Sequence, residues 1–129
     1  MAKVLLIDDN SLVRDTLRRV LARAGHVVET AADGAAGLAA FAAQKFDAVI
    51  SDIFMPNEDG IAVISKIRAQ SRDVCIIAIS GAGSGAGSYD ALRMTQDLGA
   101  DYILQKPIVN ADLVEAIAKG STKNRMIEG

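Results

Sequence analysis

Five polar residues in this chain stand directly after apolar runs, where a strand end can hold a carboxylate, a hydroxyl or an ammonium group. Asp8 and Asp9 close "KVLLIDDN", Asp52 follows "FDAVIS", Ser80 closes "VCIIAIS" and Lys106 follows "DYILQ". Adjacent carboxylates at the end of a buried run cost self-repulsion and desolvation unless something positive lies against them. Taken singly, each residue has a plain explanation. Asp8 and Asp9 suit the positive end of a following helix, Asp52 opens a turn, Ser80 caps a loop, and Lys106 is a solvated lysine. Taken together they form a set with a chemistry. Three carboxylates in one crevice call for a hard divalent cation, and Mg²⁺ accepts oxygen ligands while keeping several waters. A cation so placed neutralises phosphoryl oxygens while a neighbouring carboxylate attacks phosphorus. Lys106 and Ser80 would each bind a phosphoryl oxygen.

The elements that must position these groups are legible in the hydrophobic pattern. Runs rich in Val and Ile at 3–8, 26–31, 46–51, 74–80 and 101–105 are continuously apolar, as strands covered on both faces are. Helical patterns alternate with them. Val13, Leu17, Val20, Leu21 and Ala24 share one face ahead of Gly25, the expected stop. The stretch 34–44 is alanine-rich, and Ile61, Ile64 and Ile67 recur three apart. Patterns at 89–99 and 111–120 complete the set, with Asn110 the expected cap of the last. Strict βα alternation predicts an α/β fold: an open parallel sheet with right-handed crossovers and helices on both faces. Ligands of such sheets bind at the carboxyl edge of the strands, which is where the five polar residues fall. One domain, 1–120, is expected, followed by a short polar tail, 121–129.

Composition narrows the class. A chain of 129 residues that is 50% hydrophobic can bury a core and is not a disordered segment. Lys and Arg total 14 against 16 Asp and Glu, so the basic excess that a nucleic-acid backbone demands is missing. The single cysteine, Cys75, lies in an apolar run and reads as an inert core thiol. There is no apolar stretch of ~18 residues and no signal-peptide pattern, so membrane insertion is not expected and a cytoplasmic location is. His26 opens the second strand on the edge away from the acids. A relay phosphohistidine needs an exposed helical position, so His26 is expected to be structural.

The motifs "IDDN", "ADGAAGL", "ISDIFMPNEDG", "AIS" before a loop, and "GADYILQKP" occur in this order at strand ends. Across roughly residues 3–119 the chain resembles the receiver domain of two-component response regulators, near in plan to single-domain chemotaxis regulators. The resemblance implies a doubly wound, flavodoxin-like sheet of order 2-1-3-4-5 with five helices. It implies that Asp52 is the phosphoacceptor, and that Asp9 ligates Mg²⁺ directly (Mn²⁺ being a possible substitute). Asp8 would act chiefly through bound water, and the Phe54 backbone carbonyl would be a further ligand. Ser80 and Lys106 would bind the phosphoryl group, and the Lys106–Pro107 peptide would be cis. The donor implied is a phosphohistidine on a histidine kinase or phosphotransfer protein. The output implied is a phosphorylation-dependent shift of the face made by the fourth helix, fifth strand and fifth helix, read by a downstream protein. Such a domain is not an enzyme beyond catalysing its own phosphorylation and dephosphorylation.

Two departures from the family pattern stand out. The aromatic residue usual three positions before the lysine is replaced by Ile103, while Tyr102 falls on the other side of the strand. The segment "SGAGSGAGS" lengthens the stretch between Ser80 and Lys106 by about four residues, and its glycines make the backbone permissive and costly to order. It is expected to order on phosphorylation or partner docking. The same segment matches a G-x-G-x-x-A fingerprint through Gly81, Gly83 and Ala86. It follows the fourth strand rather than the first, and Asp101 begins a strand instead of ending one, so nucleotide binding is disfavoured. Phe54 and Ala82 occupy the positions that influence the attacking water in receivers, and neither can orient it by a strong hydrogen bond, so slow self-dephosphorylation is expected. Three other readings compete with the receiver reading. An aspartyl-phosphate hydrolase needs D-x-D on the first strand, which "IDDN" lacks. A phosphorylation-independent scaffold would not need all five site residues. An excised receiver of a longer regulator or hybrid kinase is compatible with everything above.

Overall fold

The computed structural model describes residues 1–55, 58–80 and 99–128, with backbone alone for 54, 55, 58, 59 and 121–128. The order is β1 (Lys3–Ile7), α1 (Ser11–Arg23), β2 (Val27–Ala31), α2 (Gly34–Ala43) and β3 (Ala48–Asp52). A two-stranded ribbon, β4 (Phe54–Met55) and β5 (Glu58–Asp59), leads into α3 (Gly60–Gln70). Then follow β6 (Cys75–Ser80), β7 (Tyr102–Gln105) and the C-terminal helix α4 (Asn110–Glu128). The fourth predicted helix, 89–99, and the glycine-rich segment 81–88 lie outside the described residues apart from Gly99. Among the described residues, no helix is long and apolar enough to cross a membrane.

The five main strands pair in parallel in the order β2-β1-β3-β6-β7, which is 2-1-3-4-5 when the ribbon is set aside. Successive strand residues face opposite sides, so each strand supplies both layers of core. Val4, Leu6, Ile50, Ile77 and Ile79 pack with Leu17 and Leu21 of α1 and Leu113 and Ile117 of α4. Leu5, Ile7, Val49 and Ile76 pack on the other face with Val63, Ile64 and Ile67 of α3, and Leu38 and Phe41 of α2 lie against them. That double demand is why the central strands are apolar without alternation. β2 differs: as an edge strand it buries only Ala31 fully and leaves Glu29 and Thr30 exposed.

Helix ends follow capping chemistry. The Asn10 side chain accepts hydrogen bonds from the amides of Leu12 and Val13 and starts α1. Gly25, at φ +94°, ends it. At α4 the Val109 carbonyl accepts from Asp112 and Leu113, so Asn110 is the first helical residue rather than the cap. The helix also runs past Gly120, where the pattern predicted its end. A Cβ on Gly120 would lie 2.2 Å from Cys75 Sγ, so this glycine lets the helix close on β6 instead of stopping it. Cys75 is buried there as a core thiol. His26 accepts a hydrogen bond from the Ala2 amide through Nδ1 at 3.0 Å, the structural use expected of it.

The amino edge of the sheet is fastened by Arg68 of α3. Its Nε and Nη2 donate to the Gly99 carbonyl at 3.0 and 2.7 Å, and its Nη1 donates to the Arg72 and Val74 carbonyls at 2.8 and 2.9 Å. Nη2 also pairs with Asp101 Oδ2 at 2.8 Å, and that oxygen accepts from the Ile76 amide. Gly99 has φ +118°, and a Cβ there would sit 2.7 Å from Arg68 Cγ, so glycine both adopts the backbone and admits the side chain. Hydrogen bonds from a charged donor contribute about 1.5–3 kcal/mol each when partners are buried. We therefore expect Arg68→Ala to lower stability by about 2–3 kcal/mol in urea unfolding and to leave divalent-cation affinity at the opposite edge unchanged.

Candidate functional site

Pairing at the carboxyl edge carries Asp8, Asp52, Ser80 and Lys106 to the end of a ladder or one step past it. β1 and β2 are in register through Ile7 and Ala31, and the Asp8 amide donates to the Ala31 carbonyl at 3.2 Å. Asp8 Oδ1 accepts from the Asn10 amide at 2.8 Å, an Asx turn that bends the chain into α1. β3 and β6 are in register through Asp52 and Ile79, so Ser80 stands one residue beyond. Ser80 pairs in register with Gln105, and its carbonyl accepts from the Lys106 amide at 2.8 Å. The Lys106–Pro107 bond is cis.

These ladders bring together Asp8, Asp9, Asp52, Ser80 and Lys106. One carboxylate oxygen from each of Asp8, Asp9 and Asp52 lies within 4.8 Å of the others. Asp8 and Ser80 are fully buried and Asp52 nearly so, while Asp9 is exposed. Lys106 Nζ donates to Asp52 Oδ2 at 3.0 Å and lies 3.7 Å from Asp8 Oδ2. Ile103 is not part of this cluster. It is half-buried against the α2–α3 face, with Tyr102 against the α1–α4 face, as the strand alternation requires. Ala82 and the Phe54 side chain lie outside the described residues.

Two contributors carried no assigned role in the sequence reading. Gly60 opens α3 against the backbone that follows Asp52: a Cβ there would come 2.4 Å from Ile53 Cα and 2.6 Å from the Asp52 carbonyl. The signal was present as the last glycine of D-x-x-M-P-x-x-x-G, but its reason is a close approach visible only in three dimensions. Arg14 donates from Nη1 to the Asp8 carbonyl at 2.7 Å. Its place one helical turn after the Asn10 cap was the only hint.

Burial is the largest influence on Asp8 and raises its pKa; repulsion from Asp52 and Asp9 adds to this, while the Asn10 hydrogen bond and Lys106 oppose it. For Lys106, burial alone would lower the pKa, but the hydrogen bond and charge of Asp52, then the charge of Asp8, outweigh it and the net direction is upward. Among the described residues, none donates a hydrogen bond to the buried Asp8 Oδ2. Three carboxylates stand against the Lys106 ammonium and the nearby Arg14 guanidinium, which leaves a local negative excess among the described residues, and the donors are all hard oxygens. The residues present therefore fit a divalent cation of the Mg²⁺ type.

That balance has a sign that can be measured. A carboxyl whose folded pKa lies above its ordinary 3.8 holds its proton more readily in the fold than in the unfolded chain. Its ionised form is a cost above the raised pKa, and the cost is relieved as pH falls through it toward the ordinary value. Asp8→Asn should therefore raise the melting temperature of the cation-free protein at pH 7 by a few degrees, the effect of about 1 kcal/mol in a domain of this size. The gain should shrink as the pH is lowered. Added Mg²⁺ should stabilise the wild type more than the variant. Melts in EDTA and in Mg²⁺ check both; a lower melting temperature for the variant in EDTA would show that the Lys106 attraction outweighs burial.

Comparison with known proteins agrees with this geometry. The family model described as the response regulator receiver domain matches residues 4–118. The chain is 37% identical over 115 residues to the transcriptional regulatory protein PrrA of Mycobacterium tuberculosis, covering 89% of this chain and 48% of PrrA. It is 35% identical over 112 residues to the response regulator MprA of Mycolicibacterium vanbaalenii, covering 87% and 47% respectively. The chain thus spans about half the length of these curated relatives. Among solved structures, a CheY-like receiver domain protein from Methanospirillum hungatei JF-1 superposes with a TM-score of 0.90 at 26% identity, over 100% of this chain and 99% of that one. A receiver domain protein from Clostridium thermocellum gives 0.89 at 28% identity, over 98% and 99%. With the sheet order, the acid cluster and the lysine on one edge, this chain belongs to the receiver domains of two-component response regulators.

Proposed function

We propose that this chain is a phosphorylation-activated switch in which Asp52 accepts a phosphoryl group from a phosphohistidine of a histidine kinase or phosphotransfer protein in the cytoplasm. The observation that carries the reading is the Lys106 ammonium, 3.0 Å from Asp52 Oδ2 beside two further carboxylates. An Asp52 carboxylate oxygen attacks phosphorus, the P–N bond breaks, and the imidazole leaves with the electron pair and takes a proton. Asp8, Asp9, Asp52 and the Phe54 carbonyl would hold Mg²⁺, which would neutralise phosphoryl charge when bound. Lys106 follows the charge from the carboxylate to a phosphoryl oxygen, and the Ser80 hydroxyl donates to another. Water later attacks phosphorus, releasing inorganic phosphate and restoring the carboxylate. The chain catalyses nothing beyond these steps on itself.

Phosphorylation adds about 1.5 to 2 negative charges at one strand end. Ser80 and Lys106 end the neighbouring strands β6 and β7, so their movement biases the 81–98 segment and the β7–α4 surface that a downstream protein would read. Ile103, half-buried on β7, would repack as an aliphatic side chain in place of a swinging ring. Receiver activity is tested by intact mass after incubation with phosphoramidate, with and without Mg²⁺. A single phosphoryl gain in Mg²⁺, absent from Asp52→Asn, is expected. Wild type that gains nothing from phosphoramidate or from a kinase would overturn the reading. With Phe54 and Ala82 at the water-orienting positions, the phosphoryl group should persist for minutes rather than seconds.

A protein donor also needs a surface to dock on. A cleft of about 300 Å³ runs from Lys106 and Pro107 to Leu12 and Thr16 of α1, and Leu12 is 74% exposed at its rim. Its continuity with Lys106 favours a helical, partly apolar donor seated there. An exposed apolar side chain that becomes the anchor of an interface costs more than about 1 kcal/mol when truncated. Leu12→Ala should therefore slow transfer from a phosphorylated histidine kinase by about tenfold, while labelling by phosphoramidate stays unchanged. Equal losses with both donors would place Leu12 in the fold rather than in docking.

A further inference from the structure

Helix α1 carries Arg14, Arg18, Arg19 and Arg23. Arg18 and Arg19 are exposed and pair with Asp15 at 2.8 and 3.1 Å. Arg14 is half-buried and turns toward the sheet edge, where Nη1 donates to the Asp8 carbonyl at 2.7 Å. That carbonyl lies past both ladders of β1, which end at Ile7 opposite Ala31 and Ser51. It belongs to the peptide that joins Asp8 to Asp9. A peptide is planar, so holding its oxygen fixes the direction in which the next Cα, and hence the Asp9 side chain, leaves. Residues 8–10 are bound from a second side by the Asx turn from Asp8 Oδ1 to the Asn10 amide.

Asp9 needs such support. It is exposed, yet its carboxylate stays within 4.8 Å of two others that repel it. We propose that Arg14 is a positioning residue for the cation site: by binding the Asp8 carbonyl it locks the Asp8–Asp9 peptide so that both carboxylates converge with Asp52. This rests on the cation reading of the cluster. It also makes a counterintuitive prediction. A guanidinium near a cation site repels the cation, so if Arg14 acted by charge alone its removal would tighten binding. If it acts by position, removal weakens binding. The two roles have opposite signs.

The experiment is an EPR titration of Mn²⁺ against the full chain, with circular dichroism to confirm folding. Arg14→Met keeps the aliphatic stem and loses the donor; its Kd for Mn²⁺ is expected to rise about tenfold, as for other residues that orient metal ligands. Arg14→Lys, which can still donate to the carbonyl, should recover most of that loss. Arg19→Ala removes the same charge from the same helix without touching the sheet edge, and should bind Mn²⁺ as tightly as wild type or more tightly. An Arg14→Met protein that binds Mn²⁺ equally or more tightly than wild type overturns the proposal and leaves the cation site standing. Wild type that binds no Mn²⁺ removes the cation site and this inference with it. Should Arg14→Met not fold, Arg14→Gln, neutral and too short to reach, takes its place with the same expectations.

Discussion

Like charges crowded at the edge of an apolar sheet are the condition that the rest of this molecule serves. A carboxylate that is fully buried, with one oxygen accepting no hydrogen bond from the described residues and two further acids beside it, is unfavourable wherever water is excluded. It persists because the groups that carry it cannot move apart. Asp52 ends a strand hydrogen-bonded on both sides, Asp8 continues a ladder by one bond, and α3 presses on the backbone after Asp52 with a glycine. Lys106 offsets part of the repulsion by reaching both buried acids. The remaining negative excess is what the proposed cation would neutralise.

The opposite edge is organised in the contrary way. There Arg68 saturates carbonyls from the end of α3, the approach to β6 and the turn at Gly99, and pairs with Asp101. Polar groups that find good partners hold their elements in place. Elements running between the two edges are thus secured at one end and under electrostatic tension at the other. Ser80 stands at the end of β6 and Lys106 just past the end of β7, on the charged edge with Asp52.

The same two-sidedness runs through the core. Central strands supply large aliphatic side chains to both layers, which leaves the sheet little freedom to slip, since a one-residue shift would exchange the faces. β7 shows what an edge position permits. Tyr102, Ile103 and Leu104 are half-buried and Gln105 is exposed, with Tyr102 and Ile103 committed to opposite layers. This edge strand, next to Lys106, is less tightly covered than its fully buried neighbour β6.

Much of this was legible in the linear chain. Strand positions, strand-end acids and the Lys-Pro pair follow from apolar runs and what interrupts them, because burial on two faces leaves an unbroken hydrophobic signature and its end marks the sheet edge. Gly25 and Asn10 act as local chemistry dictates, since capping depends on neighbours in sequence. What sequence could not decide depends on distant contacts. Gly120 reads as a stop but is a packing residue, because Cys75 fills the space where its Cβ would be. Asn110 reads as a cap but is displaced by the Val109 carbonyl. The exposure of β2 follows from its lying at the edge, which residue types alone do not reveal. Arg14 and Arg68 look like interchangeable surface cations until the fold sets one against the Asp8 carbonyl and the other against Gly99 and Asp101. Residue order alone sets which groups stand at the strand ends; folding sets which of them share charge and which backbone atoms hold them there, because those are relations between segments that only the folded sheet brings within a few ångströms.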